Sequence, residues 1–247
     1  MRKDLRGGSI SHAGAQRREG TVSPAKLVVA ICYLLVFPLI LLYLGGDWRW
    51  LEGWLFSIIF LLICLVTLVY LYFYDPDLLN ERFGSPFQEA QKPWDKVLLS
   101  FFFIDFLVWF AIMPLDARRF NWSPAFPFWL KLTGTALLAI SGYILFGALK
   151  ENTFAAPVVK MQKERGQKVI STGLYAIVRH PMYAGATLLF IAGPLLLGSV
   201  LGLGMGLVLI VTIAARSVGE EAMLKQELDG YGDYMKRVKW RMIPFVF

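Results

Sequence analysis

The side chains best suited to chemistry crowd toward the C-terminal end of the sequence. Arg179-His180-Pro181-Met182-Tyr183-Ala184-Gly185 opens a long apolar stretch, and Arg216 with Glu220-Glu221 closes it. Leu224, Tyr231, Tyr234 and Arg241-Met242-Ile243-Pro244 follow, while Glu151-Asn152-Thr153-Phe154, Gln162 and the run from Val169 to Tyr175 precede. Pro181 suits the first turn of a helix. The free N–H groups of such a turn can receive a carboxylate. An arginine at a lipid boundary can grip a carboxylate through two parallel hydrogen bonds, and a glutamate can accept a proton. No Cys or Ser nucleophile stands out, and no Cys/His metal spacing. The two cysteines, Cys32 and Cys64, lie in apolar runs and read as free, packed thiols.

Each residue also has a plainer reading. Arg179 can anchor a membrane face, and His180 can cap a helix. Arg216 and Glu220 are spaced for an ion pair across one helix turn. Glu221 can face water, and Tyr231, Tyr234 and Trp240 can serve as interface anchors. Asp105, midway along an apolar stretch, is either functional or a protonated or paired structural carboxyl.

The elements that must position these residues are membrane helices. Of 247 residues, 57% are hydrophobic and 17% charged, and the mean hydropathy is +0.55. Those values exclude a disordered chain, a disulfide scaffold and an ordinary soluble domain. They imply an all-α polytopic membrane protein. Stretches 27–44, 53–72, 97–115 and 128–149 are each long enough to cross a bilayer. Stretch 182–215 carries no charge; as one helix it would run about 51 Å, too long for one span. Two arms with a turn near Gly198-Ser199 fit better, giving six spans and a tight final hairpin. All but four of the 25 Lys and Arg residues then fall on the side of the N-terminus; the four are Arg49, Arg118, Arg119 and Lys131. That is the positive-inside pattern, with both termini cytoplasmic in a bacterial inner membrane or endoplasmic reticulum. The net charge of +7 is explained by topology and anionic lipid, without a nucleic-acid partner. Trp48, Trp50, Trp54, Trp122 and Trp129 mark the outer interface, and Tyr70, Tyr72, Tyr74 and Trp94 the inner one.

Three regions result. Residues 1–22 read as a flexible basic tail without a signal-peptide cleavage site. Residues 23–149 hold the first four spans, and 150–247 a cytoplasmic loop, the hairpin and a polar tail. The run RHPMYAG, the hairpin-length apolar stretch, then R-x3-EE-x2-L, Y-x2-Y and R-x-IP resemble the isoprenylcysteine carboxyl methyltransferase family and the related phospholipid methyltransferases. The resemblance covers roughly residues 150–247. It implies an integral membrane enzyme that binds S-adenosylmethionine on its cytoplasmic side and methylates a lipidic acceptor, such as a prenylcysteine-like carboxylate. Carried over, the cofactor contacts fall on Gln162, Gln167, Lys168, Val169, Ile170, Tyr175, His180, Pro181, Met182, Tyr183 and Glu220. Arg216 matches a residue implicated in holding the acceptor, and with Glu220 it is the expected catalytic pair. Gln167 departs from the family pattern, standing where a histidine is often found, and the spacer from Gln162 to Gln167 is shorter than in eukaryotic members. Two other readings share this half of the sequence: a sterol-type reductase using NADPH, and a membrane protein that keeps the fold without the chemistry. Oligomeric state and acceptor identity stay open.

Overall fold

The computed structural model describes residues 22–247. Apart from Val22, the expected basic tail lies outside the described residues. These form eight α-helices and no strand. In chain order they are α1 (Pro24–Gly45), α2 (Leu51–Tyr74), α3 (Pro76–Arg82), α4 (Pro93–Pro114), α5 (Phe128–Glu151), α6 (Pro181–Leu197), α7 (Val200–Glu227) and α8 (Tyr231–Arg237). Five of them are long and apolar enough to cross a membrane: α1, α2, α5, α7, and α4 with its continuation to Arg119. The sixth apolar helix, α6, has 17 residues, about 26 Å, at the short end of what a bilayer requires.

The helix boundaries follow local chemistry. Prolines occupy the first turns of α1, α4 and α6, where the missing N–H costs nothing. The turn between α6 and α7 sits where the uncharged stretch required it. Gly198 takes a left-handed conformation at φ 86°, and Ser199 caps α7 by accepting a hydrogen bond from the Gly202 N–H at 2.8 Å. The Ser199 hydroxyl also donates to Asp116 Oδ2 at 2.6 Å. That oxygen further accepts from the Ser123 hydroxyl at 2.7 Å and the Leu201 N–H at 3.1 Å. Asp116, just beyond α4, therefore latches the hairpin tip; nothing in the sequence singled it out.

α6 is the central element, packed between α5 and α7. Two glycines permit this. A Cβ on Gly134 of α5 would lie 2.4 Å from the Leu196 nitrogen, and one on Gly206 of α7 would lie 2.4 Å from the Phe190 carbonyl oxygen. Among Gly202, Gly204 and Gly206, Gly204 has open space beside it, and the other two are closely packed. Phe56, Trp109, Met113, Phe190, Leu196 and Leu209 fill the core.

Large apolar side chains such as Val28, Leu35, Ile58, Leu62, Ile104 and Leu107 point outward, as expected of a surface solvated by lipid. One expectation needs correction: the cysteines are not both packed, since Cys32 is exposed and Cys64 half-buried. Trp50 is buried against Gly45 and Gly53, while Trp48, Trp54, Trp122 and Trp129 are exposed. Asp105 is buried, and neither carboxylate oxygen has a hydrogen-bond partner.

The hairpin folds the end of the chain back beside the His-Pro segment. Val178 pairs with Trp240 in an isolated parallel bridge. The Arg179 N–H donates to the Trp240 carbonyl at 2.9 Å, and the His180 N–H to the Arg241 carbonyl at 2.8 Å.

Candidate functional site

α7 has 28 residues, about 42 Å, which exceeds a hydrocarbon core of roughly 30 Å. Its final turns therefore project beyond the apolar slab; they carry Glu220 and Glu221, and Arg216 lies one turn before them. Facing them are the start of α6, the 152–175 loop, the start of α4 and the tail around α8. Two buried carboxylates join these pieces.

The first is Glu221, 3% exposed. Arg179 donates to it from Nε at 2.6 Å and from Nη2 at 3.2 Å. His180 Nε2 lies 3.2 Å from Oε1, and Arg241 Nε donates to Oε2 at 2.9 Å. The Nη1 group of Arg179 donates to the carbonyls of Val238 and Lys239 at 2.8 and 2.7 Å. Glu221 is thus no water-facing residue, and Arg179 is no simple surface anchor. A bidentate pair of this kind, with its remaining polar atoms satisfied, is the arrangement under which buried charge is tolerated.

The second is Asp95, on the first turn of α4 and fully buried. It accepts from Arg216 Nε at 2.6 Å and Nη2 at 3.3 Å, from Gln91 Nε2 at 2.7 Å and from the Val159 N–H at 2.9 Å. Arg216 Nη2 also donates to the Pro157 carbonyl at 2.8 Å. The ion pair of Arg216 with Glu220 across one helix turn is therefore not formed. Glu220 instead accepts from the Tyr183 hydroxyl at 2.8 Å, with His180 Nδ1 3.9 Å away. The His180 ring stacks on Tyr183 with centroids 5.3 Å apart, and its side chain does not cap α6.

Arg179 and His180, which meet Glu221, and Arg216, which meets Asp95, line one cavity holding about 820 Å³ of empty space, open solvent at its mouth included. Gln162, Gln167, Lys168, Val169, Ile170, Tyr175, His180, Met182, Tyr183, Arg216 and Glu220 all line it. Of the residues expected from the sequence, only Pro181 is absent from the lining; it starts α6. The two glutamines are already engaged. Gln162 Nε2 donates to the Phe154 carbonyl at 2.8 Å and its Oε1 accepts from Arg165 at 2.5 Å. Gln167 Oε1 accepts from the Gln162 N–H at 2.8 Å. Both side chains therefore shape the loop that walls the cavity.

Tyr231 and Tyr234 are buried in the wall rather than anchored at an interface. Tyr234 donates to the Tyr175 carbonyl at 2.7 Å, and Asn152 Nδ2 donates to the Tyr175 hydroxyl at 3.1 Å. Burial pushes the Tyr234 hydroxyl up to about 12 and raises Tyr175 and Tyr231 as well. All three stay neutral hydrogen-bonding groups near pH 7. The segment between α2 and α4 reinforces the wall. Lys160 pairs with Glu81 at 2.8 Å, and Arg82 Nη1 donates to the Ala155 carbonyl at 3.0 Å.

Residues 129–229 match the phospholipid methyltransferase family. That family includes the isoprenylcysteine carboxyl methyltransferases, and the match points to a membrane methyltransferase acting on lipid-type substrates. Phospholipid methyltransferases generally use S-adenosylmethionine. No curated protein matches the chain. The matched residues take in α5, the cavity loop, α6 and α7, but omit Asp95, Tyr231, Tyr234 and Arg241. Asp95 gave no signal in the sequence, since an acid in a first helix turn is ordinary. Glu221 was distinguishable from Glu220 only by which way α7 turns each of them.

Proposed function

We propose that the cavity binds S-adenosylmethionine and that the protein transfers its methyl group to a lipidic acceptor. The observation that carries this reading is the convergence of His180, Tyr183, Glu220, Arg216 and the 162–170 loop on one cavity beside the membrane-spanning bundle. The residues present suit the cofactor. Glu220 offers a carboxylate oxygen, Oε1, without a hydrogen-bond partner among the described residues, which complements an ammonium or sulfonium. The first turn of α6 offers backbone N–H groups for a carboxylate, and the apolar side chains of Met182, Val169 and Ile170 offer surface for a ring.

When bound, the cofactor supplies a methyl group on a positively charged sulfur, an already activated leaving group. The work left to the chain is alignment and exclusion of water. Arg216 sits where the projecting part of α7 meets the slab, so it faces an acceptor whose tail lies between helices. Its Nε and Nη2 edge is occupied by Asp95, and Nη1 is the end left for the acceptor. A carboxylate acceptor is ionised at pH 7 and needs no base. An amine acceptor must lose a proton, and Glu220 is the nearby group able to take it.

The test is incubation of enriched membranes with S-adenosylmethionine carrying a labelled methyl group, followed by identification of labelled lipid. Label in one extractable lipid class, cut about hundredfold by Glu220→Gln, is the expected result. Binding of NADPH but not of S-adenosylhomocysteine by the purified protein would replace this reading with the reductase.

A further inference from the structure

We propose that Asp95 is a positioning residue for Arg216, fixing which end of the guanidinium reaches the cavity. The proposal rests on the role given to Arg216 above and extends the site to α4, outside the segment matched by the family.

The geometry carries it. A guanidinium has five N–H donors in a rigid fork. Asp95 takes Nε and one hydrogen of Nη2, and the Pro157 carbonyl takes a second contact from Nη2. Nη1 alone has no hydrogen-bond partner among the described residues, and Arg216 lines the cavity. The side chain therefore cannot present its usual two-point grip to an incoming carboxylate. It presents one nitrogen in one direction, and the charge behind that nitrogen is balanced by a carboxylate with no solvent exposure.

Asp95 is itself held from three sides. Gln91 donates from the bend just before α4, and the Val159 N–H donates from the cavity loop. Oδ2 accepts from Gln91, Val159 and Arg216 Nη2, and Oδ1 accepts from Arg216 Nε. One side chain thereby sets the distance between α4, the loop and α7. Charge-assisted contacts of this kind are worth more than neutral ones, so an uncharged replacement loosens the arginine while leaving its position on α7 unchanged.

The experiment compares Asp95→Asn, Asp95→Glu, Arg216→Gln and the Asp95→Asn/Arg216→Gln double variant in the full-length protein. Asp95→Asn is expected to lower kcat/KM for the lipid acceptor about tenfold to hundredfold, with S-adenosylhomocysteine affinity kept within about threefold. Asp95→Glu recovers part of the loss, and the double variant is no worse than Arg216→Gln alone, as expected of residues acting as one unit. Equal loss of cofactor and acceptor binding, or additive losses in the double variant, overturns the proposal. A second readout needs no methyl transfer. Phenylglyoxal modification of Arg216, followed by peptide mass spectrometry, is expected to be about tenfold faster in Asp95→Asn than in the unsubstituted protein. An unchanged rate overturns the positioning role even if the protein proves not to be a methyltransferase. Faster modification together with no transfer in the unsubstituted protein overturns the proposed function and leaves Asp95 as the residue that orients Arg216.

Discussion

Asp116 and Glu221 stand near opposite ends of α7, both buried, yet their partners differ in kind. At the hairpin tip Asp116 receives two hydroxyls and a backbone N–H, with no arginine or lysine among its hydrogen-bond partners. At the cavity Glu221 receives two arginines and faces a histidine. The first arrangement closes a turn. The second balances the charge of Arg179 and Arg241 beside an open cavity and leaves the adjacent Glu220 with a spare oxygen. Lone ionised groups in low dielectric are costly, so a site that presents charge must neutralise what it does not present.

Removing the hubs measures that contrast. Glu221→Ala strands Arg179 and Arg241, and a loss of about 3–5 kcal/mol is expected, seen as poor recovery of monodisperse protein in detergent. Glu220→Gln leaves the fold and thermal midpoint intact while cutting methyl transfer about hundredfold, as for loss of one charge-assisted contact. If both variants behave alike, the division between a structural and a presented carboxylate is wrong. Asp116→Asn is expected to cost about 1–3 kcal/mol in thermal unfolding, with kcat/KM unchanged once the protein is folded. Tyr183→Phe removes the donor to Glu220, and about a tenfold drop in kcat/KM is expected.

The smallest effect concerns the Lys160–Glu81 pair at the cavity rim. Burial pushes the Glu81 carboxyl up, but the hydrogen bonds from Lys160 and Gln88 outweigh it and leave the group below its ordinary value of 4.5. A depressed carboxyl stabilises the fold above that value and loses the contribution as the pH falls through its lowered one. Limited proteolysis of the 152–170 loop should therefore be flat down to about pH 5 and rise below pH 4. In Glu81→Gln it should be independent of pH.

What could be read from residues alone follows physical range. The hairpin turn was legible because a 34-residue uncharged run exceeds one bilayer crossing and Gly198 breaks it. The cavity lining was legible because motif residues stay close in the loop and at the start of α6. Hidden were the long-range partners. Asp95 lies 121 positions from Arg216, and nothing local marks one first-turn acid as the mate of a distant arginine. Glu220 and Glu221 are neighbours with opposite fates because successive helix positions are rotated by about 100°. Tyr231 and Tyr234 looked like anchors because tail tyrosines beside a membrane usually are; docking of α8 against α7 and the loop buried them instead.

One consequence of the unbroken α7 concerns depth. Twenty residues separate Val200 from Glu220, about 30 Å of helix, and each end is clamped by its own carboxylate. The distance from the latched tip to the cavity floor is therefore a fixed ruler. In thicker or thinner bilayers the lipid must deform to meet that length.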